Sequence, residues 1–123
     1  EPRCAETCPA CGMARTALRA SGTCRPCELR ALVARAESET AAAMERLAPQ
    51  DRAVYASTET RLQSAPDPRP APPRTEGMTP YRAARARDAY AEALERWEVR
   101  TLTRLLKARR RRLERMIKKI SNQ

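Results

Sequence analysis

The residues best placed to do chemistry in this chain are four cysteines arranged as two CxxC pairs. Cys8 and Cys11 form the first pair, Cys24 and Cys27 form the second, and twelve residues separate them. Tetrahedral zinc needs four soft donors at about 2.3 Å, and cysteine thiolates are its usual ligands in structural sites. The spacing therefore predicts a single bound Zn²⁺ ion as the cofactor, held by all four cysteines.

Other uses of these cysteines stay open at this point. A redox site needs a strand-to-helix setting of the thioredoxin type, which the neighbouring pattern does not predict. Iron also suits four thiolates, but aromatic residues to shield it are scarce, at 3% of the chain. The fifth cysteine, Cys4, is an exposed thiol, an alternative ligand to Cys8, or a residue without a function.

The segment after the second pair indicates the type of finger. In a zinc ribbon a strand would follow Cys27, whereas here a helical pattern of apolar residues begins at Leu29. A CPxCG turn, a short hairpin over Met13 to Thr23 and a CxxC pair that opens a helix resemble a treble-clef zinc finger. The resemblance covers residues 6–40 and implies the same four cysteines as ligands. It implies no particular task, because treble clefs serve DNA binding, RNA binding, protein docking and, in some nucleases, catalysis.

Composition changes divide the chain into four predicted segments. Residues 1–48 are the zinc finger and its helix, and 49–63 are a short connecting helix or loop. Residues 64–78 are a proline-rich linker, and 79–123 are one long amphipathic basic helix that Thr79 caps and Pro80 opens. The predicted fold class is mostly α, with a small Cys4 finger and its hairpin running into a helix, then the linker and a coiled-coil-like helix.

The long helix carries an apolar seam at heptad-like spacing, with Arg109 intruding at one position. Its members are Leu94, Trp97, Val99, Leu102, Leu106, Leu113, Met116 and Ile120. Such a seam must be covered, either by the first helix folding back or by a helix of another protein. We expect a partner protein to dock there.

The net charge of +10 comes almost entirely from residues 100–120, where ten basic side chains accompany Glu114 alone. They are Arg100, Arg104, Lys107, Arg109, Arg110, Arg111, Arg112, Arg115, Lys118 and Lys119. We expect them to contact the DNA backbone without reading its sequence, or an acidic partner surface. Solvation of a coiled coil and binding to an anionic membrane are the alternatives.

Several function classes are excluded by composition. Leu, Ile and Val number only 15 and Phe is absent, so a large apolar core is not expected. Histidine is absent as well, so we expect no enzyme, no catalytic residue and no small-molecule substrate. No stretch is apolar enough to span a membrane. The CxxC pairs and the odd cysteine count favour a reducing, intracellular location, such as bacterial cytoplasm, nucleoid or a phage-infected host.

Together these features predict a non-catalytic zinc-binding accessory protein in a DNA-associated complex. Small phage-type modulators of recombination or transcription, including recombination directionality factors, often have a similar organisation. The prediction that this chain is one of them is an analogy. The alternative is an RNA- or ribosome-associated zinc-knuckle protein, which would use the same finger and basic helix.

Overall fold

The computed structural model describes residues 4–62 and 67–123, with the backbone alone for 57–62. The element order is β1 Glu6–Thr7, β2 Ala14–Arg15, α1 Arg25–Arg46, α2 Pro49–Leu62 and α3 Pro80–Ser121. A mostly helical fold with one small hairpin, a cysteine cluster and a long final helix confirms the predicted fold class. Three predicted segments lie partly outside the described residues: the zinc finger at residues 1–3, the connecting helix at residue 63 and the proline-rich linker at residues 64–66.

The hairpin is not where the sequence predicts it. The antiparallel pairs are Glu6 with Arg15 and Thr7 with Ala14, so β1 and β2 flank the first CxxC turn. We predicted a hairpin between the two cysteine pairs, over Met13 to Thr23, and that position is wrong. The turn of the first CxxC pair itself reverses the chain, which brings the residues on either side of it into register.

Helix α1 follows from a regular apolar pattern. Its buried residues recur at intervals of three or four and lie on one face. They are Pro26, Leu29, Val33, Ala36, Thr40 and Ala43. Thr40 is accommodated because its hydroxyl donates to the carbonyl of Ala36 at 2.7 Å. The helix ends at Arg46 because Pro49 cannot continue it and instead opens α2.

The turn between α1 and α2 is closed by the last residue of the chain. The Gln123 side chain accepts a hydrogen bond from the Ala48 N–H at 3.1 Å and donates one to the Arg46 carbonyl at 3.3 Å. One amide group thus satisfies backbone groups at the end of one helix and the start of the next.

Helix α3 runs for 42 residues. Thr79 caps its start, since the Arg82 N–H donates to the Thr79 hydroxyl at 3.3 Å. Pro80 occupies the first helical position, where its missing N–H costs nothing. Among the described residues, no helix combines the length and apolar character needed to cross a membrane.

The chain forms two compact units. The first, here the thiol unit, comprises residues 4–28 and 67–100, and it contains all five cysteines. The second, here the aliphatic unit, comprises residues 29–62 and 101–123. Its core is formed by Ala43 of α1 and by Leu47, which follows that helix, together with Leu113 and Met116 of α3. Three partly buried residues pack against this core: Met44, Tyr55 and Ile120.

Candidate metal centre

The four cysteines of the CxxC pairs lie together in the thiol unit, with all their sulfur atoms within 4.8 Å of one another. The Sγ–Sγ distance is 3.8 Å between Cys8 and Cys27, and also 3.8 Å between Cys11 and Cys24. Each of these contacts joins one pair to the other. All four cysteines are free thiols, and 3.8 Å is far beyond the roughly 2.05 Å of a disulfide bond.

The sulfur spacing fits one tetrahedral metal ion. Four sulfurs that each lie about 2.3 Å from a central zinc are about 3.8 Å from one another. That separation matches the two observed contacts between the pairs. Four thiolates also complete the coordination of zinc, as in structural sites, so the donor set is consistent with an ion that holds the chain together.

The backbone of the first pair is shaped to present its sulfurs. The Cys8 N–H donates to the Met13 carbonyl at 3.0 Å, and the Gly12 N–H donates to the Cys8 carbonyl at 2.7 Å. Gly12 has a φ of +70°, in the left-handed region that a residue with a Cβ adopts at a cost. A glycine is therefore required where the chain turns beneath the sulfurs.

Backbone amides stabilise negative charge on the first pair. Burial by itself raises the pKa of Cys8, but N–H groups of Cys11, Cys24 and Ala10 outweigh it and lower the pKa to about 6. The Cys24 N–H lies 3.4 Å from the Cys8 sulfur. Burial also raises the pKa of Cys11, yet the amide of Met13 and other hydrogen bonds lower it overall.

The second pair behaves in the opposite way. Burial raises the pKa of Cys24, although the N–H of Cys27 partly opposes the rise. Burial also raises the pKa of Cys27 to about 12, with further contributions from the neighbouring thiols. A buried cluster cannot hold four negative charges without a cation. A divalent metal ion would therefore displace protons from the second pair when it binds.

Arg15 links the cysteine cluster to α3. Its side chain is fully buried, and its Nη2 lies 3.5 Å from the Cys11 sulfur and 2.8 Å from the Glu98 carboxylate. Burial by itself lowers the pKa of Arg15, but the bond to Cys11 and the charge of Glu98 raise it overall, so the guanidinium stays charged. The arginine thus offsets negative charge on two partners at once.

A second carboxylate of α3 contacts the same region. The buried Glu95 accepts hydrogen bonds from the Thr16 N–H at 3.2 Å and from the Thr16 hydroxyl at 2.9 Å. Residues 15 and 16 therefore each bind one carboxylate of the helix. Sequence reasoning missed both contacts. The only available signal was the balanced charge of residues 79–99, which include both glutamates.

Cys4 does not belong to the metal cluster. It is buried rather than exposed, and its N–H donates to the Asp88 carboxylate at 3.0 Å. Burial and then the charge of Asp88 raise its pKa, so the thiol stays protonated. Both chemical roles considered for Cys4, an exposed thiol and an alternative ligand to Cys8, are therefore unsupported.

The predicted basic surface is smaller than the sequence suggests. Arg109 and Arg112 are buried. The Arg109 guanidinium lies 3.7 Å from the Glu37 carboxylate, and the Arg112 guanidinium donates to the Tyr55 carbonyl at 2.8 Å. These two arginines are thus removed from the predicted contact set. Arg100 is exposed and lies in the thiol unit. The exposed members in the aliphatic unit are Arg104, Lys107, Arg110, Arg111, Arg115, Lys118 and Lys119.

The apolar seam of α3 is covered. Its buried members are Leu94, Leu106, Leu113 and Met116, and the remaining four are half-buried: Trp97, Val99, Leu102 and Ile120. Leu113 and Met116 pack against residues of α1. Of the two coverings that the sequence allowed, a helix of the same chain therefore accounts for this part of the seam.

Comparisons of the chain with protein-family models, with curated proteins and with solved structures gave no match. The site and its surroundings therefore carry the functional argument on their own.

Proposed function

We propose that this chain is a non-catalytic, zinc-stabilised accessory protein that binds the phosphate backbone of duplex DNA through the basic surface of α3. The observation that carries the proposal is the set of seven exposed basic residues from Arg104 to Lys119. Glu114 is the single acidic residue among them. Guanidinium and ammonium groups at this density favour a polyanion, because each neutralised phosphate releases a counterion.

The dimensions of the basic surface suit a nucleic-acid backbone. From Arg104 to Lys119 the helix rises about 22 Å. That length corresponds to about six phosphates along one strand of a duplex. The buried Arg109 and Arg112 belong to the packed side of the helix, which leaves the other basic residues to solvent.

Recognition of a particular DNA base sequence by α3 has little support. The segment 100–121 contains no Asn or Gln to pair with adenine and no aromatic residue to stack on a base. Arginine and lysine side chains bind phosphates regardless of the base sequence. The proposal is therefore for backbone contact, with preference for a duplex over a single strand.

The metal centre has a structural role in this proposal. Four thiolates on Zn²⁺ carry a formal charge of −2, which disfavours direct contact with a polyanion. The treble-clef assignment is supported by α1, which opens at the second cysteine pair. The hairpin around the first pair departs from the pattern that the resemblance implied.

The finer role that we propose is regulation within a DNA-associated complex, as in phage-type modulators of recombination or transcription. This role is supported by the organisation of the chain, which combines a small size, a unit with a candidate metal site and a helix with a basic C-terminal half. No residue motif singles out recombination. The absence of histidine and the suitability of the four clustered thiols as ligands of one metal ion favour a non-catalytic role.

The test is binding of the zinc-loaded chain to a short fluorescent duplex, measured by anisotropy over a range of salt concentrations. Replacing Arg111 and Lys118 by glutamine should reduce the slope of log K against log salt by about 0.9 for each lost contact. The matched control replaces the exposed Arg35 and Arg46 by glutamine, which removes two positive charges from α1 instead of α3.

Three results would contradict the proposal. The first is duplex binding that does not weaken with salt, and the second is an equal loss of affinity in the control variant. The third is tighter binding to an RNA hairpin than to duplex DNA, which would instead support the RNA-associated alternative.

A further inference from the structure

The backbone of residues 67–73 is restricted to extended conformations by its high proline content. Proline locks its own φ near −65°, and the residue before a proline is restricted to extended conformations. In the sequence Asp67-Pro68-Arg69-Pro70-Ala71-Pro72-Pro73, every residue is a proline or precedes one. Both restrictions favour the polyproline II conformation, which has three residues per turn.

Side-chain exposure in this segment follows the same period of three. Asp67, Pro70 and Pro73 are half-buried, whereas the two residues between each of them are exposed. One edge of the three-sided helix therefore packs against protein. The other two edges face solvent, and they carry Pro68, Arg69, Ala71, Pro72 and Arg74.

The segment is fastened to α3 by Trp97, the single tryptophan of the chain. The indole N–H donates to the Asp67 carbonyl at 2.8 Å, and the Arg69 guanidinium lies over the indole ring at 5.9 Å from its centroid. Both contacts are within the thiol unit. They hold the first turn of the segment in place while its two outer edges remain accessible.

We propose that residues 67–74, the proline strap, are a docking surface for a protein domain with an aromatic-lined groove and acidic residues at its rim. Domains of this class bind polyproline II segments by taking two edges of the helix and leaving the third outside. The strap already has its third edge packed. The exposed pair Ala71 and Pro72 fits such a groove, and Arg69 and Arg74 on either side complement carboxylates at the rim.

Preorganisation strengthens this surface. A free proline-rich peptide must lose its remaining freedom when it binds, whereas the strap is restricted by its prolines and held by Trp97. The strap lies in the thiol unit and shares no residue with the basic surface proposed to bind DNA. DNA binding by the basic surface and protein binding by the strap can therefore fail independently.

The experiment is an NMR titration of the ¹⁵N-labelled, zinc-loaded full chain with two probes, an SH3 domain and a WW domain, each with acidic residues beside its groove. We expect the amide signals of Arg69, Ala71 and Arg74 and the indole signal of Trp97 to shift with at least one probe. An absence of shifts with both probes overturns the proposal, and so do shifts confined to residues outside the strap.

Variants distinguish specific binding at the strap from nonspecific electrostatic attraction between the probe and the chain. Arg74→Glu should weaken probe binding at least tenfold. The matched control Arg82→Glu, at an exposed position of α3 outside the strap, should change binding less than twofold. Trp97→Phe removes the bond to Asp67 and should weaken binding about threefold, with an unchanged circular dichroism spectrum. Equal effects of the two arginine variants, or strap signals that shift with duplex DNA instead, would contradict the proposal.

Discussion

The thiol unit contains four clustered thiols and a buried ion pair, whereas the aliphatic unit contains a cluster of apolar side chains together with two buried arginines. In the first, four thiols lie within 4.8 Å of one another and the buried Arg15 pairs with the buried Glu98. In the second, Ala43, Leu47, Leu113 and Met116 form an ordinary apolar core. The two halves of one short chain are thus stabilised by different physical chemistry.

The difference shows how a chain poor in large apolar residues can still fold. Its 15 Leu, Ile and Val residues are too few for one large core. A metal ion held by the clustered cysteines would reduce the need for apolar side chains in one unit, because metal binding supplies folding free energy directly. The remaining large aliphatic residues are then sufficient for a small core in the other unit.

The largest effect should come from removing one metal ligand. We expect Cys24→Ser to weaken Zn²⁺ binding by at least a thousandfold, since a hydroxyl is a poor replacement for a thiolate. Competition with a colorimetric zinc chelator measures this. Cys4→Ser is the matched control and should leave the affinity within threefold, because Cys4 is outside the cluster. Equal losses in both variants would show that the ligand set is misassigned.

Breaking the buried ion pair should be the next largest effect. Glu98→Ala leaves the Arg15 guanidinium buried without its carboxylate, which costs about 3–5 kcal/mol in stability of the thiol unit. Glu28→Ala removes more exposed ion pairs with Arg19 and Arg25 and should cost less than about 1 kcal/mol. Urea unfolding followed by Trp97 fluorescence compares them. Similar costs for the two variants would argue against the bridge between the cluster and α3.

A cavity in the aliphatic unit should lower its stability without affecting the metal site. Met116 is completely buried, so Met116→Ala should cost about 2–4 kcal/mol through lost burial and the space left behind. The same variant should leave zinc affinity within about twofold, because the metal ligands lie in the other unit. Ile117→Ala, on the exposed side of the same turn, is the control and should be nearly neutral. A large drop in zinc affinity would contradict separate stabilisation.

Zinc affinity should rise with pH, an effect of about 2.7 kcal/mol per pH unit if two protons are released. The pKa of Cys27 is raised to about 12 and that of Cys24 is also raised, so both thiols are protonated near pH 7 without metal. Zinc binds thiolates, so it must release these protons, and lower pH opposes binding. Isothermal titration between pH 7 and 8 in buffers of different ionisation heat counts them. A release near zero would disprove the assigned protonation.

Local signals in the sequence predicted much of this structure. The CxxC spacing identified the four cysteines that cluster, and Thr79-Pro80 marked the start of α3. The periodicity of α1 identified its buried face. Each of these depends on residues within a few turns of one another, which is the range over which sequence patterns carry information.

The remaining features depend on contacts between distant residues. Arg15 and Glu98 are 83 positions apart, and no local pattern connects them. Strands of two residues are too short to show alternation, which is why the hairpin was misplaced. The burial of Arg109 and Arg112 depends on Glu37 and the Tyr55 carbonyl, so a count of basic residues overestimated the exposed charge.

We claim that a bound metal ion stabilises the thiol unit and that an apolar core stabilises the aliphatic unit. Hydrogen exchange of the full chain, with zinc and after chelation, separates the two contributions. We predict that amides of residues 8–28 lose about a hundredfold or more of protection without zinc, while those of 33–47 and 105–116 change less than about threefold. Loss of protection in both ranges to the same extent, or in neither, would contradict the claim.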